Sequence, residues 1–456
     1  MSAVLSTDAS VRAAFGRDAS GLELIPEAVA RPTSVDEVVD VVRNAAARGS
    51  TVTPAGGQSS TTGASITDRG VLLSLRGLDR ILDIDRAART VRVQAGAWIA
   101  DVKRAVAAEG LLLAPDPTSE EEATIGGAVA CNASGARSLR YGPTRAHVRA
   151  LRVVLASGEV VELRRTPLEK NTVGYAMAQD PVDWFIGSEG TLGVVVEAEL
   201  ALLPLPARVI GFGIPFAHER DAFAFVAAAR TSDAISARCL EFFDARALAI
   251  VRAAGGAGWG GTSAALVYAE QAMREDAEPP LDAWLALAEA HCAVIADAQV
   301  FDSESALRDA RRLRHAVPAH MNERGATHRA AGGRKVSTDW AVPYARLPEA
   351  VDAARAAADA HGVEQPVIYG HAGNGHPHEN FIARDADELR TVERVVDETL
   401  RHVLRLGGTV AAEHGIGKLK RRWLPMQMSE LQIRAMRALR RELDPAGMFA
   451  PGNILP

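Results

Sequence analysis

Helical and strand patterns of apolar positions alternate along the first half of the chain, and longer helical patterns dominate the second. Near the start, Val38, Val41, Val42 and Ala45 recur at helical spacing behind Ser34, with Glu37 three residues on. That arrangement predicts a capping box opening an amphipathic helix, with Gly49 as its stop. A short β-like stretch follows at 51–55. Residues 71–75 (V-L-L-S-L) and R-T-V-R-V-Q-A-G, which alternates apolar and polar, predict strands. A helix is expected over 98–108, and L-R-V-V-L-A-S-G-E-V-V-E-L predicts a hairpin turning at 156–159. The run G-T-L-G-V-V-V-E-A-E-L-A-L-L-P-L-P closes this half, and Pro204 and Pro206 mark a domain boundary.

Beyond residue 207 alanine-rich helical patterns take over, around 219–230, 281–297, 303–316, 347–361 and 385–406. They alternate with short strand patterns such as S-A-A-L-V-Y-A-E and P-V-I-Y-G-H-A-G, an α+β or split βαβ arrangement. The ending L-D-P-A-G-M-F-A-P-G-N-I-L-P has too much Pro and Gly for a helix and is expected to pack on another domain. The expected division is 1–206, 207–430 and a C-terminal segment 431–456 that returns to the first domain. No internal repeat or low-complexity tract is present.

Composition narrows the function classes. The 456 residues suggest two or three domains, and 48% hydrophobic with 24% charged residues suits a soluble enzyme. A net charge of -6 gives no basic surplus for nucleic acid. Five lysines (103, 170, 335, 418, 420) stand against 46 arginines, which draws attention to the Lys418/Lys420 pair. Cys131, Cys239 and Cys292 form no C-x-x-C pair, which argues against an iron–sulfur cluster or a cysteine zinc site. The N-terminal residues lack a signal-peptide pattern, and no run of 18 apolar residues predicts a transmembrane helix, so a cytoplasmic location is expected.

Three glycine-rich segments carry candidate chemistry. Residues 53–65 read T-P-A-G-G-Q-S-S-T-T-G-A-S, where adjacent glycines and hydroxyl side chains let backbone N–H groups converge on an anion. This is neither a Walker A nor a Rossmann signature, and by itself it also fits a flexible surface loop. Residues 115–148 combine G-G, C-N-A-S-G and Y-G, a density of small residues that suits a large flat ligand lying on the backbone. Residues 186–194 (I-G-S-E-G-T-L-G-V) repeat the theme before a strand.

In order and spacing these segments resemble the FAD-binding domain of the vanillyl-alcohol oxidase/p-cresol methylhydroxylase flavoproteins, over roughly residues 30–205. K-N-T-V-G-Y at 170–175 matches as well. The resemblance implies that Gly56, Gly57, Gln58, Ser59 and Ser60 hold the pyrophosphate, joined by Pro54. It implies that Thr118, Gly126, Gly127, Asn132, Ser134 and Gly135 line the flavin, and that Gly190, Thr191, Val194 and Asn453 complete the site. The first loop has no histidine for covalent attachment, so FAD is expected to be non-covalent.

A second constellation is richer in ligands. I-Y-G-H-A-G-N-G-H-P-H-E-N-F holds His371, His376 and His378, and T-V-A-A-E-H-G-I-G-K-L-K holds Glu413 and His414. Two imidazoles and a carboxylate can form a half-open metal site, with the Gly-Asn-Gly turn folding the chain back; a polar loop fits the same spacing. H-x-G-N-G-x-x-H followed by E-H-G-I-G resembles the C-terminal domain of FAD-linked D-2-hydroxy-acid dehydrogenases, which include D-lactate and D-2-hydroxyglutarate dehydrogenases and the glycolate oxidase flavin subunit. That resemblance implies His371, His378 and Glu413 as ligands of a divalent metal, Zn or Mn, and His414 as the base. His376 could be a hydrogen-bond donor behind the ligands or could face solvent, and the second is the expectation. Arg311 stands where relatives have a substrate-carboxylate arginine in an L-W-x-x-R helix, although Arg308 replaces the tryptophan; the alternative is a solvated helix face. Arg334 and Lys335 are weaker candidates, and Lys420 matches a lysine that often follows E-H-G-I-G.

The expected fold is therefore α+β: a two-part FAD-binding domain of the p-cresol methylhydroxylase type plus a substrate (cap) domain with a mainly antiparallel sheet covered by helices. The expected reaction oxidises a small D-2-hydroxy acid of the lactate, glycolate, 2-hydroxyglutarate or mandelate type. The rival within the same superfamily is the non-redox, FAD-containing ether-lipid synthase. Without iron–sulfur ligands, the reduced flavin needs an acceptor outside the chain: a quinone, a cytochrome, an electron-transfer flavoprotein, a partner subunit or oxygen. A homodimer and peripheral attachment at the inner membrane are both compatible with the sequence.

Overall fold

In the computed structural model, which describes residues 4–256, 258–273 and 277–456, the chain divides into two compact units. The first comprises the chain through Gly135, then Gly142–Leu205 and Glu413–Pro456; the second comprises Ala136–Tyr141 and Pro206–Ala412.

Two main sheets and a small antiparallel pair, Leu111–Leu112 with Leu203–Pro204, lie in the first unit. In one, Ala28–Ala30, Val71–Ser74 and Val52–Ala55 run parallel, with Leu5–Ser6 antiparallel at the edge. Parallel neighbours need a crossover, and the helix Val35–Ala47 supplies it, burying Val38, Val42 and Ala45. Ser34 caps this helix by accepting from the Glu37 N–H. The Glu37 carboxylate reaches one residue past Ser34, to the Thr33 N–H at 2.7 Å, so the expected reciprocal box is displaced. A full capping box occurs instead at Ser429 and Gln432, opening the helix Glu430–Leu443. The sequence reading had no helix there, because this arginine-rich segment buries only Ile433.

The second sheet of this unit is antiparallel, in the order Ile81–Asp85, Thr90–Gln94, Val194–Ala201, Val148–Val154, Val160–Arg164. The expected hairpin is present, with Val154 opposite Val160. Helix Ile99–Ala108 begins one residue after Trp98.

The second unit is built on a seven-stranded sheet in which every pairing is antiparallel. Its order is Gln299–Phe301, Arg208–Phe216, Ala265–Met273, Ala237–Asp244, Val367–His371, His376–Asp385, Gly332–Ser337. Helices cover both faces, so the central strands are buried almost throughout. Phe242 stacks on Phe223 of the helix Glu219–Thr231 on one face. On the other, Cys239, Phe243, Leu266 and Tyr268 pack with Ala310, Leu313 and Val317 of the helix Glu304–Ala326. That helix extends ten residues beyond the expected 303–316 and passes through Pro318, which has no N–H for the Arg314 carbonyl. The helix expected over 281–297 ends at Ala290, where Cys292 takes a φ of 59°. Among the described residues no helix is long and apolar enough to cross a membrane.

Candidate active site

In the first unit, the loop after strand Val52–Ala55 is built to leave amides available. Arg76 binds the carbonyls of Gly56 and Gly57 at 3.0 and 2.9 Å. Among the described residues, the N–H groups of Gly57, Gln58, Ser59 and Ser60 have no acceptor within the protein. Buried or half-buried amides need partners, and four successive ones suit a pyrophosphate. Gln58 adopts a φ of 60°, and its side-chain amide donates to the Phe15 carbonyl at 2.9 Å.

The glycines here bring segments together. A Cβ on Gly57 would lie 1.7 Å from the Glu122 carbonyl, and one on Gly56 would lie 2.2 Å from the Thr124 hydroxyl. The second segment follows as the short helix Ile125–Cys131, capped by Thr124 and ended by Asn132 in the left-handed region. Gly126 packs on Ala95, and Gly135 passes the Asp116 carbonyl at a distance no Cβ would tolerate. Asn132 Oδ1 accepts from the Arg145 N–H at 2.9 Å. Gly127 is half-buried and Thr118 is exposed.

The third segment joins both. Gly187 and Glu189 donate their N–H groups to the carbonyls of Val129 and Ala130, and Gly190 lies against the Pro54 ring. Thr191 directs its hydroxyl to the Ser188 carbonyl at 2.7 Å, and Val194 begins the following strand. Asn453 is fully buried; it donates to the carbonyls of Ala64 and Glu189 and accepts from Lys418 Nζ. Asn453 thus ties the first and third segments together. Within the same unit, Glu413 Oε2 lies 3.5 Å from Ser134 Oγ, and His414 Nε2 lies 3.3 Å from Glu413 Oε1.

The second unit gathers the histidines. Strands Val367–His371 and His376–Asp385 form a hairpin through the turn Ala372–Asn374, with Gly375 left-handed at a φ of 67°. His371 sits opposite His376, and His378 follows two residues along, so strand alternation puts all three on one face. Their ring centroids are 4.7–5.4 Å apart. His376 is thus not solvent-facing as expected: it is 4% exposed, with Nε2 3.3 Å from Asp339 Oδ1. Cross-strand register, invisible in the spacing, turned it inward. Gly370 leaves room for the His378 ring, which a Cβ would approach to 2.8 Å.

His371 Nδ1 lies 2.6 Å from Glu241 Oε1, and Glu241 Oε2 accepts from Arg314 Nε at 2.7 Å. Burial would raise the Glu241 pKa; His371 and Arg314 overcome it and hold it down at about 2. Were Nδ1–H to donate to this carboxylate, Nε2 of His371 would be the nitrogen to meet a metal, the carboxylate–histidine arrangement common at such sites. The donor set therefore fits a divalent cation.

Arg311 lies one turn before Arg314, with Nε 3.2 Å from Glu270 Oε1 and its side chain 38% exposed. Arg238 and Arg137 meet the same carboxylate, and the three guanidinium groups hold its pKa well below the usual range despite burial. Sequence reading missed both Glu241 and Arg314. The available signal was helical phase: Leu307, Ala310, Arg314, Val317 and Met321 form one buried stripe, in which a single arginine is out of character. Lys335 donates to Asn322 and Arg334 pairs with Glu393, while Lys420 is buried.

The glycine-rich loop belongs to one unit and the histidine-bearing strands to the other, and comparison supplies the class. Residues 26–164 match the FAD binding domain, and residues 205–454 match the C-terminal domain of FAD linked oxidases. The chain belongs to the FAD-linked oxidase family and is an FAD-binding oxidoreductase. It is 34% identical over 441 residues to a D-2-hydroxyglutarate dehydrogenase of Xanthomonas citri pv. viticola, covering 94% of this chain and 89% of that protein. It is 31% identical over 439 residues to the glycolate oxidase subunit GlcD of Bacillus subtilis, with the same coverage of 94% and 89%. A solved alkyldihydroxyacetonephosphate synthase shares the fold, with a TM-score of 0.74 over 99% of this chain and 82% of that one, at 20% identity.

Proposed function

We propose that this protein oxidises a small D-2-hydroxy acid to the 2-oxo acid with non-covalently bound FAD and a divalent metal. The observation that carries the reading is the buried Glu241–His371 pair beside His378, which prepares an imidazole for a Lewis acid on the same chain that binds a flavin. The names of the relatives point to the same substrate class.

The roles divide as follows. The N–H groups of residues 57–60 hold the pyrophosphate, and the segment from Gly126 to Gly135, with Gly190, carries the flavin. FAD, when bound, supplies the two-electron acceptor at N5. His371, His378 and Glu413 are the proposed ligands of Zn or Mn, which would supply Lewis acidity toward the substrate oxygen atoms. Arg311, whose side chain is partly exposed, is assigned the substrate carboxylate, and Arg314, one turn on, holds Glu241. His414 takes the proton of the C2 hydroxyl as general base, while the C2 hydrogen leaves with its electron pair. An acceptor outside the chain reoxidises the flavin.

The test is anaerobic titration of the yellow protein with D- and L-2-hydroxy acids, before and after chelation. Bleaching by a D-acid that is lost on chelation, and lost in His414→Ala with flavin retained, is the expected result. A flavin that no hydroxy acid reduces would refute the proposal and direct attention to non-redox ether-lipid synthase chemistry.

A further inference from the structure

Glu189 has no place in the reaction just described, yet its buried carboxylate is bound at both oxygens by backbone amides. It lies in the third glycine segment with a φ of 49°, a conformation an L-residue with a long side chain adopts only when its surroundings demand it. The demand is visible. Its N–H is held by the Ala130 carbonyl at 2.8 Å and its own carbonyl by Asn453 Nδ2 at 3.1 Å. The side chain, in a residue only 6% exposed, then reaches the loop that follows His414. Oε1 accepts from the Ile416 N–H at 2.6 Å, and Oε2 accepts from the Gly417 N–H at 2.7 Å.

Two successive amides on the two oxygens of one carboxylate fix a peptide segment in direction as well as in place. The loop is shaped for this grip. Gly415 is left-handed at a φ of 74°, and a Cβ there would lie 2.5 Å from Glu189 Oε1. Gly417 is left-handed at 51°, and its Cβ would lie 2.4 Å from the Thr62 carbonyl. Thr62, at the end of the first glycine segment, accepts from the Lys418 N–H at 2.9 Å, and Lys418 Nζ reaches the Gly63 carbonyl at 3.1 Å. The loop bearing His414 is thus fastened to two of the three glycine segments, and Glu189 is the only side chain that binds it through two adjacent amides among the described residues.

We propose that Glu189 is a positioning residue: its carboxylate clamps the amides of Ile416 and Gly417 and so sets the orientation of His414 relative to the glycine segments of the first unit. The inference rests on the role of His414 proposed above. It gives a role to the one charged residue of the segment 186–194. Burial raises the Glu189 pKa, and the two amides and the nearby Lys420 and Lys418 charges counter that cost.

The experiment compares Glu189→Ala, Glu189→Gln and Gly415→Ala with the parent full-length chain, each reconstituted with FAD. Hydrogen exchange of the 413–418 peptide, which needs no substrate, is read first. Turnover with the best reducing hydroxy acid is read second, with KM and flavin content. Expected are faster exchange at Ile416 and Gly417 in all three variants and a kcat about 100-fold lower in Glu189→Ala at nearly unchanged KM and flavin content, the loss that misplacing a reacting group brings. Glu189→Gln, which keeps one good acceptor, should recover part of it. Unchanged exchange in Glu189→Ala overturns the clamp whatever the substrate. Faster exchange with kcat kept, or a kcat loss that only follows flavin loss and is restored by added FAD, overturns the positioning role. A parent protein whose flavin no hydroxy acid reduces refutes the proposed function and with it the role for His414, while the exchange comparison still decides the clamp.

Discussion

His371 Nδ1 and Glu241 Oε1 lie 2.6 Å apart in the middle of a sheet buried on both faces. A carboxylate is expensive there unless it is paired, and Glu241 is paired twice, with His371 and with Arg314. The arrangement fixes the imidazole tautomer, orients the ring and raises its basicity toward a cation. Glu241→Gln should therefore retain flavin while weakening metal binding by about 10- to 100-fold. Competition with a chromogenic chelator measures this; unchanged affinity would remove His371 from the ligand set.

The same carboxylate contributes to stability in acid. Its pKa falls from the ordinary 4.5 to about 2 in the folded chain, so the folded state binds fewer protons than the unfolded one through that interval. Its stabilisation is fully present above about pH 5 and is lost as the pH falls through 4.5 toward 2, in total about 3 kcal/mol. Urea unfolding of metal-free protein across this range should show the loss, and Glu241→Gln should flatten it.

Arg311 and Arg314 are one helical turn apart and should fail differently. Arg311→Met removes a partly exposed guanidinium, so KM for the hydroxy acid should rise by about 10- to 100-fold with the fold intact. Arg314→Met leaves the buried Glu241 carboxylate short of a cation and should lower stability by about 3–5 kcal/mol. Steady-state kinetics alongside denaturation separate the two; an unaltered KM in Arg311→Met would transfer the carboxylate role elsewhere.

Gly57→Ala tests the anion loop. The added methyl would meet a backbone carbonyl at 1.7 Å, which no side-chain rotation relieves. The loop must move and its amides with it. The purified variant should carry less than a tenth of the parent's flavin, a loss of more than about 1.4 kcal/mol in FAD binding at limiting cofactor. The ratio of visible to ultraviolet absorbance reads it directly.

Local patterns in the sequence determined a great deal. The alternation in T-V-R-V-Q, the 38/42/45 spacing, the hairpin at 156–159 and the three glycine segments each report short-range physics, and each is found where that physics puts it. The strings at 371–378 and 413–414 stood out for the same reason, since residue types at short spacing suggest candidate chemistry. What the sequence could not show was which long-range partners those residues meet. Glu241 stands 130 positions from His371 and 73 from Arg314, and Glu189 stands 227 from Ile416. His376 turned inward because hairpin register set it opposite His371. The helix Glu430–Leu443 forms on a capping box and a single buried isoleucine, too faint a stripe to read. Side-chain type is a property of the chain, but burial and pairing of charges belong to the sheet and helix faces that meet only on folding, and there the tertiary structure alone decided.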